Sequence, residues 1–403
     1  MRNLTRYLLW IFVFTVPWDH LALPFVGSLS RAFGLAVVPV AVLCATVQGR
    51  IRKPDAVFGF AIAFSVWGAL SLLWTISYED TLVLAVTTAQ LVCCVWVIRE
   101  FVRTSDEMET LLAAICFGLF VPLIDLLNNF RIDSRAGIGY ESRYTGSGLN
   151  ADQVGLYLVL GLPIAWHLLM HRRGIVRVVA AIYVVTAPLG LILTATRGAF
   201  VAGFVALLII PLTLRKSVRS YALAGAILIA AAISAVLVAP SANWARIEGT
   251  GTELVEGGSM SGRTDIWDAS LRAFPQRPLL GAGLGAHGVA IEPFTHKRMP
   301  AHNTALEVLV EDGIVGLSLF IGLIVACGWT IVRLQPSHRV LWGVIGLTWL
   351  VASVSGSTLT VKFTWVLFGL IAAQSGLRRP ASDVVRVEPA SRAAGRSLRT
   401  AAI

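Results

Sequence analysis

Long apolar runs fill most of the chain, and short polar segments separate them. A membrane-spanning helix needs about 20 mostly apolar residues, and a window of that length predicts about twelve spans. The pattern therefore predicts an all-α fold, a polytopic membrane helix bundle. The predicted spans are Leu4–Leu23, Phe33–Val47, Ala56–Trp74, Leu82–Val102, Leu111–Leu127, Ala151–Met170, Ile175–Thr194, Ala199–Leu214, Tyr221–Pro240, Thr304–Val332, Val340–Ser355 and Phe363–Leu377.

Composition agrees with this interpretation. Apolar residues make up 56% of the chain and charged residues 14%, whereas soluble proteins have about 45–50% and about 25%. All five cysteines lie inside apolar runs, so we expect neither a disulfide framework nor a cysteine metal site. These features favour one lipid-solvated unit over several soluble domains.

The basic residues predict how the chain crosses the membrane. The formal net charge is +10, and basic clusters follow every even-numbered span, which places those gaps and both termini in the cytoplasm. This distribution explains the charge without a nucleic-acid partner. We expect spans one to nine in residues 1–240, a periplasmic loop in 241–303, spans ten to twelve in 304–380 and a disordered cytoplasmic tail in 381–403.

Some arginines lie on the external side, against this trend. Arg143 and Arg263 fall in two polar external segments, and Arg197 lies in the short turn between spans seven and eight. A guanidinium held close to hydrocarbon needs an anionic partner. A protein carboxylate and a phosphate group both remain open as that partner.

The long external segment contains two local patterns. Ile266, Trp267, Ser270, Leu271 and Phe274 share one helical face, which predicts a short amphipathic helix on the membrane surface or the bundle. Arg263 would lie in its first turn, either solvated or contacting a phosphate. The glycines of 278–285 predict a tight turn returning the chain to the membrane, and no strand precedes them as a dinucleotide site requires.

A polar cluster opens the tenth predicted span. Asn303 or Thr304 can cap this helix, which places His302 at the mouth of the bundle. Glu307 and Glu311 are four residues apart and therefore share a face. Buried carboxylates usually face a partner or a cavity, so we expect both to pair with arginines inside the bundle.

Several motifs together resemble the O-antigen ligase family, whose superfamily also includes polysaccharide polymerases. They are Arg-Tyr-Thr-Gly from Arg143 with a following Asn150, Thr-x-Thr-Arg-Gly at 194–198, Ser-Gly-Arg at 261–263 with Trp267, Pro-Leu-Leu-Gly-x-Gly at 278–283, and His-Asn-x-x-Leu-Glu-x-Leu-x-Glu-x-Gly-Ile-x-Gly from His302. Their order and spacing cover residues 143–316.

The resemblance implies transfer of a glycan from undecaprenyl diphosphate to a hydroxyl of lipid A–core or another acceptor, on the periplasmic side of the bacterial inner membrane. Arg197 and Arg263 would hold the diphosphate, and His302 would act on the acceptor hydroxyl. Guanidinium suits phosphate geometry, and neutral histidine suits a general base. We expect a metal-independent, inverting reaction without a cofactor. Further substrate-binding residues are expected at Arg143, Asn150, Trp267, Asn303 and Glu307.

Two other functions remain open at this stage. A polymerase of the same superfamily would share these motifs and would extend a second lipid-linked glycan. A non-enzymatic carrier of lipid-linked glycan or a small anion would place polar residues near the membrane midplane, whereas here they gather at the external rim. His287, His296, Lys297 and Arg298 lie in the same loop and compete for the assigned roles.

Overall fold

The computed structural model describes residues 2–18, 22–23, 27–48, 51–136, 143–145, 149–214, 218–245, 248 and 262–377. The predicted tail over 381–403 lies outside these ranges, as does Ser261 of the Ser-Gly-Arg motif. The α-helices are α1 (Arg2–Thr15), α2 (Leu29–Gln48), α3 (Ala56–Leu70), α4 (Tyr78–Phe101), α5 (Ser105–Ala136), α6 (Ala151–His171), α7 (Gly174–Thr194), α8 (Arg197–Leu207), α9 (Ile209–Thr213), α10 (Val218–Val238), α11 (Arg263–Ala273), α12 (His287–Thr295), α13 (Thr304–Val332), α14 (Pro336–Val354) and α15 (Lys362–Gln374).

Other regular structure in the described ranges is short. The 3-10 helices are Val16–Trp18, Ser71–Leu73 and Phe274–Gln276, and a helical turn lies over 241–245. Two two-residue strands, Ala22–Leu23 and Gly27–Ser28, pair antiparallel. The protein is therefore mostly helical, as the apolar runs predict.

Each predicted span overlaps a helix, and eight helices of the described ranges are long and apolar enough to cross a membrane. This makes the chain a multi-pass membrane protein. The region of α8 and α9 and the helix α15 form shorter apolar helices. The number of about twelve crossings stays a prediction. The eight long helices cover Leu29–Gln48, Ala56–Leu73, Tyr78–Phe101, Ser105–Arg131, Ala151–His171, Gly174–Thr194, Thr304–Val332 and Pro336–Val354.

Helix α6 is the centre of the bundle. Every residue from Val154 to Leu169 is buried, and the helix packs against α5, α7, α8 and α14. Most other helices expose an apolar face, as membrane helices do towards lipid. Because α6 is surrounded, the polar residues of its first turn lie where the ends of several helices meet.

Ion pairs gather at the far end of the bundle from that first turn. We call this cluster the paired end; it consists of Arg2, Arg6, Asp55, Arg99, Glu100, Arg103 and Glu107. Arg99 Nε lies 2.5 Å from Asp55 Oδ2, Arg103 Nη2 lies 2.5 Å from Glu100 Oε1, and Arg6 contacts Glu107. The last turn of α6 joins it through His167, whose Nε2 is 2.6 Å from Glu109.

Helix α13 is broken at Gly313, and the glycine segment packs along the break. Gly313 has φ 68° and ψ −168°, outside the helical region. The N–H groups of Ala282 and Gly283 donate to the carbonyls of Val310 (2.9 Å) and Glu311 (2.8 Å). The segment over 278–285 is thus more than the predicted turn, because it supplies the backbone hydrogen bonds that the break leaves unmade.

The amphipathic helix is confirmed as α11, which begins at Arg263. It packs against the end of the bundle where α6 begins, and there Ile266, Ala269 and Ala273 form a small core with Ile291 of α12 and Val310 of α13. The predicted face needs correction, since Leu271 is 57% exposed. The small residues Ala269 and Ala273 face the core instead because they allow α11 to approach its neighbours closely.

Candidate functional site

A cavity of about 550 Å³ lies at the end of the bundle where α6 begins, beside the first turn of that helix. The beginnings of α6, α8 and α11 border it, together with His302 just before α13. Helix N-termini carry partial positive charge and free N–H groups, so their convergence favours an anion. The lining residues are Arg143, Asn150, Asp152, Ala195, Thr196, Arg197, Gly198, Val201, Arg263, Ile266, Trp267, Met299, His302, Val351, Val354 and Ser355.

Asp152 connects the charged side chains of this cavity. Its Oδ1 accepts a hydrogen bond from Arg143 Nη2 at 2.5 Å, and its Oδ2 lies 3.2 Å from Arg263 Nη2. His302 Nδ1 is 3.9 Å from the same Oδ2. One carboxylate thus orients two guanidiniums and stands beside the imidazole, and the pair of arginines leaves net positive charge around it.

Asn150 and Asp152 are held by the start of α6 itself. The Asn150 side chain accepts a hydrogen bond from the Asp152 N–H at 2.8 Å and caps the helix. Such a cap satisfies a backbone donor that the helix leaves free. Because α6 is packed on all sides, this cap fixes the Asp152 carboxylate at the cavity.

The Thr-x-Thr-Arg-Gly motif shapes the turn between α7 and α8. Arg143 donates to the carbonyl oxygen of Thr194 (3.4 Å) and to the hydroxyl of Thr196 (3.2 Å). Ala195 has φ 45°, a left-handed conformation that ends α7 at this residue. Arg197 then begins α8 and lines the cavity. A Cβ at Gly198 would lie 1.7 Å from Ser355 Oγ, so only glycine allows this approach.

His302 is held in an uncommon backbone conformation, with φ 49°. Trp267 Nε1 donates to the adjacent carbonyl of Ala301 at 2.9 Å, and Asn303 caps α13 by accepting from the Leu306 N–H at 3.1 Å. Strained residues fixed from both sides are common at functional sites. The strain and its supports orient the imidazole towards Asp152.

The surroundings of His302 favour its neutral form. Burial lowers the pKa of His302 below its usual 6.5, and the charges of Arg263 and Arg143 lower it further, while Asp152 opposes them. Desolvation and nearby cations both disfavour the protonated, charged form of a histidine. The side chain is therefore able to accept a proton near neutral pH.

The structure does not bring every expected residue to the cavity. Asn303 and Glu307 are absent from its lining. The expected pairing of Glu307 and Glu311 with arginines is wrong for the described part of the chain. Glu311 accepts instead from the backbone N–H of His287 at 3.3 Å. The loop that packs against the break in α13 lies next to the Glu311 carboxylate. A backbone N–H of this loop therefore takes the place of the expected arginine.

The competing residues of the loop also lie away from the cavity lining. His287 is buried, with Nδ1 3.2 Å from the Met299 carbonyl oxygen and Nε2 2.9 Å from Ser270 Oγ. Burial lowers the pKa of His287 to about 4, which suits a neutral structural group. Arg298 pairs with Glu292 at 2.9 Å on the surface, and His296 ends α12. The backbone carbonyl of Lys297 accepts a hydrogen bond from Thr295 Oγ1 at 2.7 Å.

Asp152 is the site residue that the sequence analysis missed. An acidic residue in the first turn of a helix ordinarily complements the helix dipole. Because that role is common, the sequence pattern did not indicate that Asp152 also contacts two arginines. The one available signal was its place two residues after Asn150, at the start of a long apolar run. Arg143, Arg197, Arg263 and His302, by contrast, were all singled out from the sequence, and they converge.

Comparison with known families identifies part of the chain. Residues 182–321 match the family model described as O-Antigen ligase, which confirms the resemblance that the motifs predict. The match contains Arg197, Arg263 and His302, while Arg143 and Asp152 precede it. No curated protein matches the chain with significant similarity.

Proposed function

We propose, on the premise of the match of residues 182–321 to the O-antigen ligase family model, that this protein is a membrane glycosyltransferase. It transfers a glycan from undecaprenyl diphosphate to a hydroxyl of lipid A–core or a related acceptor. One observation carries the proposal: Arg143 and Arg263 share the single carboxylate of Asp152 in a cavity that also holds Arg197 and His302.

The charge of the cavity fits a diphosphate. Two guanidiniums on one carboxylate leave positive charge in a half-buried place, where electrostatic attraction is stronger than in water. Arginine binds phosphate oxygens through two parallel N–H groups. A diphosphate spans two phosphorus centres, and separate arginines on α8 and α11 can each contact one of them.

The opening of the cavity fits a lipid-linked donor. Its lining includes Val201 of α8 and Val351 and Val354 of α14. Val201 and Val354 are about half exposed on the outside of the bundle. An apolar path therefore leads from the arginines to the surface that faces lipid, and a polyprenyl chain can lie along it while its headgroup enters the cavity.

The proposed reaction is a single displacement. The acceptor hydroxyl oxygen attacks the anomeric carbon, the bond from that carbon to the diphosphate oxygen breaks, and undecaprenyl diphosphate leaves. His302 takes the hydroxyl proton, and Asp152 stabilises the imidazolium that forms. Negative charge grows on the leaving phosphate, where preorganised arginines stabilise the transition state more than the ground state. The reaction inverts the anomeric centre.

The test uses purified protein in nanodiscs with an undecaprenyl-diphosphate-linked glycan, offered lipid A–core or no other acceptor. Glycan attached to lipid A–core supports the ligase. Lengthened lipid-linked glycan without core product shows a polymerase instead. The arginines supply the charge neutralisation, so we expect transfer to continue in EDTA. Absence of any transfer, with the donor bound, would contradict the glycosyltransferase proposal.

A further inference from the structure

A second, smaller cavity of about 220 Å³ lies next to the first. The two share Asn150, Asp152, Thr196, His302 and Ser355 in their linings. We call the first the arginine cavity and the second the hydroxyl cavity. His302 thus lines both cavities.

The two cavities differ in chemistry. The hydroxyl cavity has no arginine or lysine among its described lining residues; besides the shared residues it contains Gln153, Ser357, Thr358 and Thr360, with Leu156, Ala199, Pro300, Ala352, Gly356 and Val361. Neutral amides and hydroxyls donate and accept hydrogen bonds without charge. This lining suits the hydroxyl groups of a sugar and offers little to a phosphate.

The turn between α14 and α15 forms one wall of the hydroxyl cavity, and two sequence motifs hold it in place. Thr304 Oγ1 donates to the Gly356 carbonyl at 2.7 Å and accepts from the Thr358 N–H at 2.9 Å. On the other side, Gly198 allows Ser355 to approach α8 closely. The residues flanking His302 and Arg197 therefore fix the position of this turn.

Ser357 lines the wall of the hydroxyl cavity and lies beside the carboxylate of Glu307. Its Oγ is buried and makes no hydrogen bond of ordinary geometry within the described part of the chain, although buried hydroxyls in native proteins are nearly always bonded. A serine side chain has three staggered rotamers, so this hydroxyl can turn towards a ligand that enters the cavity.

We propose that the hydroxyl cavity binds the sugar ring that carries the accepting hydroxyl, with Gln153, Ser357 and Thr360 as its contacts. This inference rests on the proposed glycosyltransferase function. The arrangement places the donor diphosphate and the acceptor sugar on opposite sides of His302. The imidazole then removes a proton from the hydroxyl cavity side while the leaving group stays with the arginines.

Binding and transfer are measured separately to test this. The double variant Ser357→Ala/Thr360→Val removes two hydroxyls with little change in volume. We expect the acceptor Kd and KM to rise about threefold to tenfold, the effect of losing neutral hydrogen bonds. The Kd for undecaprenyl diphosphate stays unchanged. Acceptor Kd is measured with lipid A–core and with a second lipid-linked glycan as probes.

The matched control is Ser353→Ala/Thr186→Val, which removes two hydroxyls bonded within their own helices and outside both cavities. A filling variant, Gln153→Trp, is expected to abolish acceptor binding and leave donor binding intact. Wild-type acceptor Kd in both Ser357→Ala/Thr360→Val and Gln153→Trp would overturn the inference, as would weakened donor binding alone. Because Kd is read without turnover, this outcome is distinct from a wild-type protein that fails to transfer.

Discussion

The two ends of the bundle each gather arginines, but they use them differently. At the paired end, Arg99 has Asp55 and Arg103 has Glu100, and Arg99 and Glu100 are almost fully buried. Around the arginine cavity, Arg143 and Arg263 share one Asp152. Helix α6 connects both ends, so the contrast between the Arg99 and Arg103 pairs and the shared Asp152 lies in how guanidiniums and carboxylates are matched.

This contrast teaches how a membrane protein separates structural charge from functional charge. In a buried ion pair with one positive and one negative group, the attraction between the two charges offsets their desolvation cost. Such a pair has no net charge left to attract a ligand. A cluster with more guanidiniums than carboxylates keeps attraction for an outside anion. We therefore expect substitutions in the Arg99–Asp55 and Arg103–Glu100 pairs to change stability and those at the arginine cavity to change catalysis.

The largest effect is expected from removing the imidazole of His302. His302→Ala deletes the proposed general base, which contributes about 10²–10⁴-fold in enzymes of this kind. Transfer is measured in nanodiscs alongside thermal unfolding. The control is His171→Ala, which removes an imidazole stacked on His167 at the opposite end of α6. Equal transfer by the two variants would remove His302 from the mechanism.

Comparing one arginine from each end addresses the contrast directly. Arg263→Ala is expected to lower kcat about 10²–10³-fold, as loss of a transition-state contact does, with unchanged melting temperature. Arg99→Ala leaves Asp55 without its partner and is expected to lower the melting temperature, while kcat per folded molecule is kept. If Arg263→Ala unfolded the protein and Arg99→Ala abolished turnover, the assignment of the two ends would be reversed.

A smaller effect is expected from Asp152→Asn, which keeps the shape of the side chain and removes its charge. The arginines lose their orientation, so kcat falls about tenfold. The cavity becomes more positive, so the KM for the donor does not rise. Steady-state kinetics with varied donor separates the two parameters. A raised donor KM with normal kcat would show that Asp152 contacts the donor instead of positioning the arginines.

The smallest effect concerns pH. Burial and the two arginines lower the pKa of His302, so the neutral base is present above that pKa and is lost as pH falls through it. The rising limb of kcat/KM should therefore have its midpoint below pH 6.5, with little change between pH 6.5 and 7.5. In Asp152→Asn this limb moves to still lower pH, because the one group that raises the pKa is gone. A midpoint above pH 7 contradicts the neutral-base assignment.

Sequence patterns predicted the helices well, since apolar length follows directly from bilayer thickness. They also singled out Arg143, Arg197, Arg263 and His302, because each was polar where the surrounding chain was not. They could not show what each residue contacts. From the sequence, Asp152 resembled an ordinary acidic residue in the first turn of a helix. Its contacts with Arg143, Arg263 and His302 arise only because distant segments pack together.

Two further departures have the same origin. Glu311 was expected to pair with an arginine, but its carboxylate accepts a hydrogen bond from the backbone N–H of His287 instead. The turn over 355–361 carried no pattern that indicated a role, and it enters the site only because Thr304 and Gly198 contact it. Contacts between distant segments depend on how the helices pack. The periodic pattern of apolar residues within one segment does not reveal them.

The break at Gly313 has a consequence for how the protein is assembled. A bilayer offers no hydrogen-bond donors to the exposed carbonyls of a broken helix, and here the donors come from Ala282 and Gly283. These carbonyls of α13 are therefore satisfied only once the segment over 278–285 has docked against the break. Because His302 lies between that segment and α13 along the chain, we expect formation of the break and positioning of His302 to depend on each other.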